Sequence, residues 1–153
     1  MHPLLILLGF LALSYLPALT GIVAGPDTWY AALKKPTWNP PGSLFGPVWT
    51  VLYASMGVAA WMVWSASAGD ARLLAMGVFL LQLALNAAWT PVFFRAHNLT
   101  AALLVILLLW AAIAATIVLF WQIRPAAGAL LLPYLAWVTF ATVLTGTIRR
   151  LNG

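Results

Sequence analysis

Cysteine and glutamate are both absent from this chain of 153 residues, and its formal charges are seven Lys or Arg and two Asp. Without cysteine there is no disulfide, no thiolate nucleophile and no Cys metal site. Without glutamate, and with Asp27 and Asp70 both in expected loops, no paired carboxylates stand ready for acid–base work. Charged residues make up 6% of the chain and apolar residues 65%. A soluble domain is nearer a quarter charged and half apolar. So few charges cannot cover a surface that faces water, so the implied solvent is lipid. The net charge of +5 does not point to nucleic acid, which needs basic residues clustered on a wet face. Here they are scattered at the ends of apolar runs, where they act as topology signals.

What the chain has in abundance is long apolar runs. A spanning helix needs about 20 mainly apolar residues in a row. Five stretches qualify, at about 3–24, 45–66, 72–93, 99–121 and 127–148. None carries Lys, Arg, Asp or Glu well inside it. The runs are continuous and far longer than a barrel strand, and in lipid every backbone amide must pair internally, so they read as helices. The fold class expected is an all-α integral membrane protein, a five-transmembrane-helix bundle forming one domain over residues 1–153. The first run lacks the basic leader of a signal peptide and is expected to be a retained helix. Short polar breaks at 67–71, 95–98 and 122–126 make neighbouring helices antiparallel. Lys34, Lys35, Arg95, Arg149 and Arg150 then share one side, against Arg72 and Arg124 on the other. The positive-inside rule places the first loop and the C-terminus in the cytoplasm.

The long first loop, 25–44, is the exception to brevity. With its flanks it reads GPDTWYAALKKPTWNPPGSLFGP and contains Pro26, Pro36, Pro40, Pro41 and Pro47. Asp27 or Thr28 can cap a short helical turn over Trp29–Lys34, after which the prolines favour an extended path. Prolines lower the loop's entropy, so it can hold one shape as a lid. An interfacial loop with its Trp residues at the headgroups is the equal alternative.

Nine tryptophans are present. Trp64 and Trp121, at span ends on one side, fit an aromatic belt. Trp49, Trp89, Trp110 and Trp137 lie inside spans. Any one of them can be bundle packing, but several together can wall a cavity for a flat, largely apolar ligand. Trp49, Tyr53 and Gly57 recur every four residues on one helix face, and so do Gln82, Asn86 and Thr90. The second set is a polar stripe, which faces the bundle interior either as interhelical hydrogen bonds or as a ligand contact. Pro133 is expected to kink the last span near Trp137, with the small Ala141 on the same face as Trp137. Small residues at Ala71/Ala75, Ala84/Ala88 and Ala111/Ala115 permit close helix contact, within the chain or across a dimer. There is no Ser–His–Asp set, metal cluster, Walker loop or GxGxxG. His2 and His97 fall outside the spans, and no metal site is expected.

Three blocks carry a resemblance: Trp29–Tyr53 (WYAALKKPTWNPPGSLFGPVWTVLY), Gln82–Phe94 (QLALNAAWTPVFF) and Pro133–Thr142 (PYLAWVTFAT). Together they resemble the translocator protein family, the tryptophan-rich sensory proteins of bacteria and peripheral benzodiazepine receptors of mitochondria (TspO/MBR). The resemblance implies a five-helix bundle, commonly a homodimer, in a bacterial membrane, inner or outer. It requires no cofactor and takes porphyrins such as protoporphyrin IX or haem as ligands. It implies a pocket lined by Tyr30, Trp38, Pro41, Phe45, Trp49, Tyr53, Asn86, Trp89, Trp137 and Ala141. Lys34, Lys35 and Asn39 are the groups available for porphyrin carboxylates. Sensing or tetrapyrrole regulation is the first functional expectation. Light- and oxygen-dependent porphyrin degradation through Trp49 and Trp137, and passive transport of porphyrin, lipid or sterol, are the alternatives. One departure stands out: Gly146 occupies the aromatic position of the family's cholesterol motif, which weakens sterol recognition by that route.

Overall fold

A computed structural model describes residues 2–23, 28–94 and 96–153. Ala24, the expected end of the first span, Gly25, Pro26 and Asp27 of the first loop and the Arg95 charge lie outside the described residues. The elements are α1 (Pro3–Tyr15), α2 (Ala18–Val23), α3 (Thr28–Ala32), a 3-10 turn over Gly42–Leu44, α4 (Phe45–Ala66), α5 (Gly69–Phe94), α6 (Leu99–Ile123), α7 (Pro125–Leu130) and α8 (Leu132–Leu151). Five spans are long and apolar enough to cross a membrane, and they bear out the expected five-helix bundle: Pro3–Thr20, Gly42–Ala66, Gly69–Phe94, Leu99–Ile123 and Pro125–Leu151.

Local chemistry sets the ends. His2 caps α1, its Nδ1 accepting from the Leu4 amide at 3.0 Å, with proline in the first turn. Asn98 caps α6 by accepting from the Ala101 amide at 3.0 Å. Asp70 was expected in a loop but lies in the first turn of α5, which starts at Gly69 rather than at 72. A carboxylate there complements the helix dipole. On the same membrane side, the Arg72 guanidinium lies 4.0 Å from the Trp64 ring and donates to the Trp64 carbonyl at 2.6 Å. Trp121 is exposed. Both placements suit a headgroup belt.

Two spans expected as single helices are broken. The first, read as 3–24, stops at Tyr15 and resumes at Ala18. Pro17 has no N–H to give the Leu13 carbonyl and its ring crowds that carbonyl. The Leu16 amide turns tighter instead, to Leu13 O at 3.2 Å. The last span, read as 127–148 with a kink near Trp137, is interrupted earlier, at Leu131. Pro133 is no mid-helix kink but a first-turn residue of α8, the position proline tolerates best. In the first loop, helix covers Thr28–Ala32 and does not reach Lys34.

Lipid gives no hydrophobic drive between helices, so association rests on packing and polar ties. α1 runs along α4, α5 along α6, and α6 along α8. The half of the bundle remote from the first loop is solid: Met56, Ala59, Ala60, Val63, Ala75, Phe79, Ile113 and Phe120 are fully buried, with Phe79 and Phe120 stacked at 5.8 Å. Gly57, expected to share the cavity face of Trp49 and Tyr53, is instead where α1 crosses α4. A Cβ there would stand 2.8 Å from Leu11 Cδ2 and 2.9 Å from Leu11 Cα. Backbone cannot yield as a side chain can. Threonine hydroxyls in the spans return to their own helix: Thr116, Thr142 and Thr145 each donate to the carbonyl four residues back at 2.7 Å.

Gly57→Ala is expected to destabilise the bundle by about 1–3 kcal/mol through overpacking. Gly77→Ala, with nothing within 4 Å of its added methyl, is expected to leave stability unchanged or raised. Thermal unfolding of both variants in one detergent checks the contrast.

Candidate functional site

The half of the bundle nearest the first loop is hollow. A cavity of about 590 Å³ opens between α4, α5, α6 and α8, bounded by the α1–α2 break and by the first loop. This is the size range of sites that enclose a small organic ligand. The hollow follows from shape. The α1–α2 break brings Tyr15, Pro17 and Ala18 to its edge, and a small residue, Ala141, faces it from α8.

Its walls are aromatic. Trp49 stacks on Tyr53 at 5.3 Å and meets Tyr134 edge-on at 6.1 Å. Phe45 meets Trp137 at 6.0 Å, and Trp89 lies 5.2 Å from Phe93. The indole nitrogens of Trp89 and Trp137 are buried and donate to no acceptor among the described residues; Trp61, away from the cavity, is the third such indole. A buried N–H without a partner is costly, and two of the three belong to side chains that line the hollow.

Below the wall runs a chain of hydrogen bonds. The Tyr53 hydroxyl donates to Asn86 Oδ1 at 3.1 Å. Asn86 Nδ2 donates to the Tyr134 hydroxyl at 2.8 Å, which donates to Gln82 Oε1 at 2.8 Å. The chain joins α4, α5 and α8. It divides the expected polar stripe: Asn86 and Thr90 line the cavity, whereas Gln82 lies behind it as an interhelical tie.

Of the ten residues expected at a pocket, Tyr30, Phe45, Trp49, Tyr53, Asn86, Trp89, Trp137 and Ala141 converge on this one cavity. Trp38 and Pro41 do not line it. Trp38 packs edge-on against Phe140 of α8 at 5.7 Å, and Pro41 is exposed where it caps the 3-10 turn. Pro40 takes the place expected of Pro41, because consecutive residues on an extended path point to opposite sides. Of Lys34, Lys35 and Asn39, only Asn39 lines the cavity. Lys35 Nζ sits 4.6 Å from the Tyr30 ring and donates to the Leu33 carbonyl at 3.2 Å. Burial raises the Tyr30 phenol above its ordinary pKa, against the opposing pull of a hydrogen bond with Asn39.

Several wall residues were not anticipated. Leu144, Thr145 and Ile148 extend the Ala141 face of α8 by three, four and seven residues, and Phe93 extends Trp89 by four. Helical spacing could have found these. Nothing in the spacing pointed to Tyr15, Pro17 and Ala18, or to Tyr134 as the bridge between helices.

Comparison with known proteins agrees with this architecture. The model of the TspO/MBR family matches residues 5–151. The tryptophan-rich sensory protein of Cereibacter sphaeroides is 44% identical over 145 residues, covering 95% of this chain and 90% of its own length. The human translocator protein is 44% identical over 126 residues, 81% of this chain and 75% of that one. Protein CrtK of Rhodobacter capsulatus is 40% identical over 134 residues, 87% and 84% of the two chains. With its five spans, its aromatic hollow and this match along nearly its whole length, the chain is an integral multi-pass membrane protein that belongs to the TspO/MBR family.

Proposed function

We propose that this protein binds porphyrins, protoporphyrin IX or haem among them, in the aromatic cavity and serves a sensory or regulatory role in the membrane. The observation that carries the reading is the cavity of about 590 Å³ walled by Trp49, Trp89 and Trp137. A planar macrocycle is largely apolar and stacks on indole faces. Its carboxylates need donors that cost little to recruit. The buried N–H groups of Trp89 and Trp137 have no competing acceptor among the described residues, and Asn39 brings an amide to the mouth. The names of relatives in this family, translocator protein and tryptophan-rich sensory protein, fit a membrane protein that senses or moves a hydrophobic guest. In this reading the first loop, Arg149 and Arg150 face the cytoplasm, the side richer in positive charge.

A second reading adds photochemistry. Trp49 on α4 and Trp137 on α8 both line the one cavity, so a bound, illuminated porphyrin would lie between two oxidisable indoles, with dioxygen as terminal oxidant. Loss of porphyrin absorbance under light and oxygen, beyond a control without protein, supports this reading. Equal loss in both samples removes it.

Titration of the purified protein with protoporphyrin, followed by tryptophan quenching, tests the primary reading. The double variant Trp49→Phe with Trp137→Phe is expected to bind roughly tenfold more weakly, about 1.4 kcal/mol for two trimmed aromatic contacts. Parent-like binding would sink the pocket assignment.

Ala141→Phe places a ring in the hollow itself. It is expected to abolish porphyrin quenching while circular dichroism and the unfolding temperature stay near those of the parent. Retained quenching would place the guest elsewhere.

A further inference from the structure

The cover of the cavity is gripped by the far end of the chain. The Lys34 amide donates to Asn152 Oδ1 at 2.9 Å, and Asn152 Nδ2 donates back to the Lys34 carbonyl at 2.8 Å. One side-chain amide thus satisfies both main-chain groups of a loop residue 118 positions away in sequence. The same Nδ2 also donates to the Ile148 carbonyl at 2.8 Å, which ties the amide to α8. The helix end does not need this side chain, because the Asn152 main-chain N–H already reaches the carbonyls of Ile148 and Arg149 at 3.1 and 3.3 Å.

We infer that Asn152 is the latch of the cavity cover, a positioning residue whose grip on Lys34 sets how fast a guest exchanges past the first loop. The inference rests on the porphyrin-binding reading above. Four residues before Lys34 lies Tyr30, and four residues before Asn152 lies Ile148, both on the cavity wall. The grip therefore closes the seam between the loop wall and the α8 wall. Aromatic contacts also hold the cover: Tyr30 meets Phe94 at 5.1 Å, and Trp38 meets Phe140 at 5.7 Å. Such contacts hold rings near one another over a range of offsets. A two-point amide contact holds the loop in one register, because both its hydrogen bonds fail together when the loop shifts.

Lys34 and Lys35 are the chain's two lysines, so a lysine-specific endoprotease cuts this protein only in the cover. In detergent, without ligand, Asn152→Leu is expected to be cut roughly fivefold faster than the parent, since two partly solvated hydrogen bonds no longer oppose opening. Asn152→Asp keeps the acceptor, loses the donor, and is expected to fall between. Arg150→Ala, two positions before it and exposed, is expected to match the parent. Stopped-flow mixing with protoporphyrin should show association and dissociation both accelerated by the same factor in Asn152→Leu. Kd is then expected within twofold of the parent, with an unchanged unfolding temperature. General loosening of the structure would instead lower the unfolding temperature and weaken Kd. That pattern overturns the latch, as do parent-like cleavage or faster cleavage with unchanged porphyrin rates. If the parent takes up no porphyrin, the binding reading fails and the cleavage comparison alone decides whether Asn152 holds the cover.

Discussion

In hydrocarbon, a buried amide has no water to fall back on, and this constraint governs how the helices face one another. Gln82 and Asn86 sit one turn apart on α5, and their side chains find partners only if α8 presents Tyr134 and α4 presents Tyr53. Tyr134 is decisive because its one hydroxyl accepts from Asn86 and donates to Gln82 at once. That double role leaves little freedom in the rotation of three helices about their axes. With the rotation set, Trp49, Trp89 and Trp137, each at a helical offset from a member of the chain, are turned into the same space.

The bundle then divides into two kinds of interior. Beyond the hydrogen-bonded chain, alanines and β-branched residues with Phe79 and Phe120 pack without relief, and Gly57 lets α1 approach α4 to backbone contact. On the loop side the helices carry large rings that meet in stacked, tilted and edge-on pairs with centroids 5.2 to 6.1 Å apart. Rings in such arrangements make a smooth wall, and a smooth wall around a hollow is suited to a flat guest more than to a branched one. The interruption of the first span at Pro17 and the small side chain of Ala141 keep that hollow from filling.

Above the hollow, prolines and aromatics shape the cover while Trp38 and Asn152 seat it on α8. Trp38 was expected to touch a ligand and is instead an anchor for the segment that brings Asn39 and Pro40 to the mouth. A loop residue can serve a site in either way, and spacing along an irregular segment does not distinguish them. The same limit explains the exchange of Pro41 for Pro40.

Some features were fully legible in the amino-acid order. The absence of glutamate and cysteine, the rarity of charge and five apolar runs of spanning length leave helices in lipid as the one way to pair the backbone. Periodicity of four placed Trp49 with Tyr53 and Asn86 with Thr90, because a helix repeats its face regardless of its neighbours. The break at Leu16–Pro17 was also written there, in Pro17 itself, whereas the break at Leu131, the diversion of Gly57 to the α1 crossing, the bridging role of Tyr134 and the grip of Asn152 on Lys34 were decided only by the tertiary structure. Each depends on which helix stands opposite at a given height, and that is settled jointly by shape and by buried polar pairing across the bundle, quantities that no single segment contains.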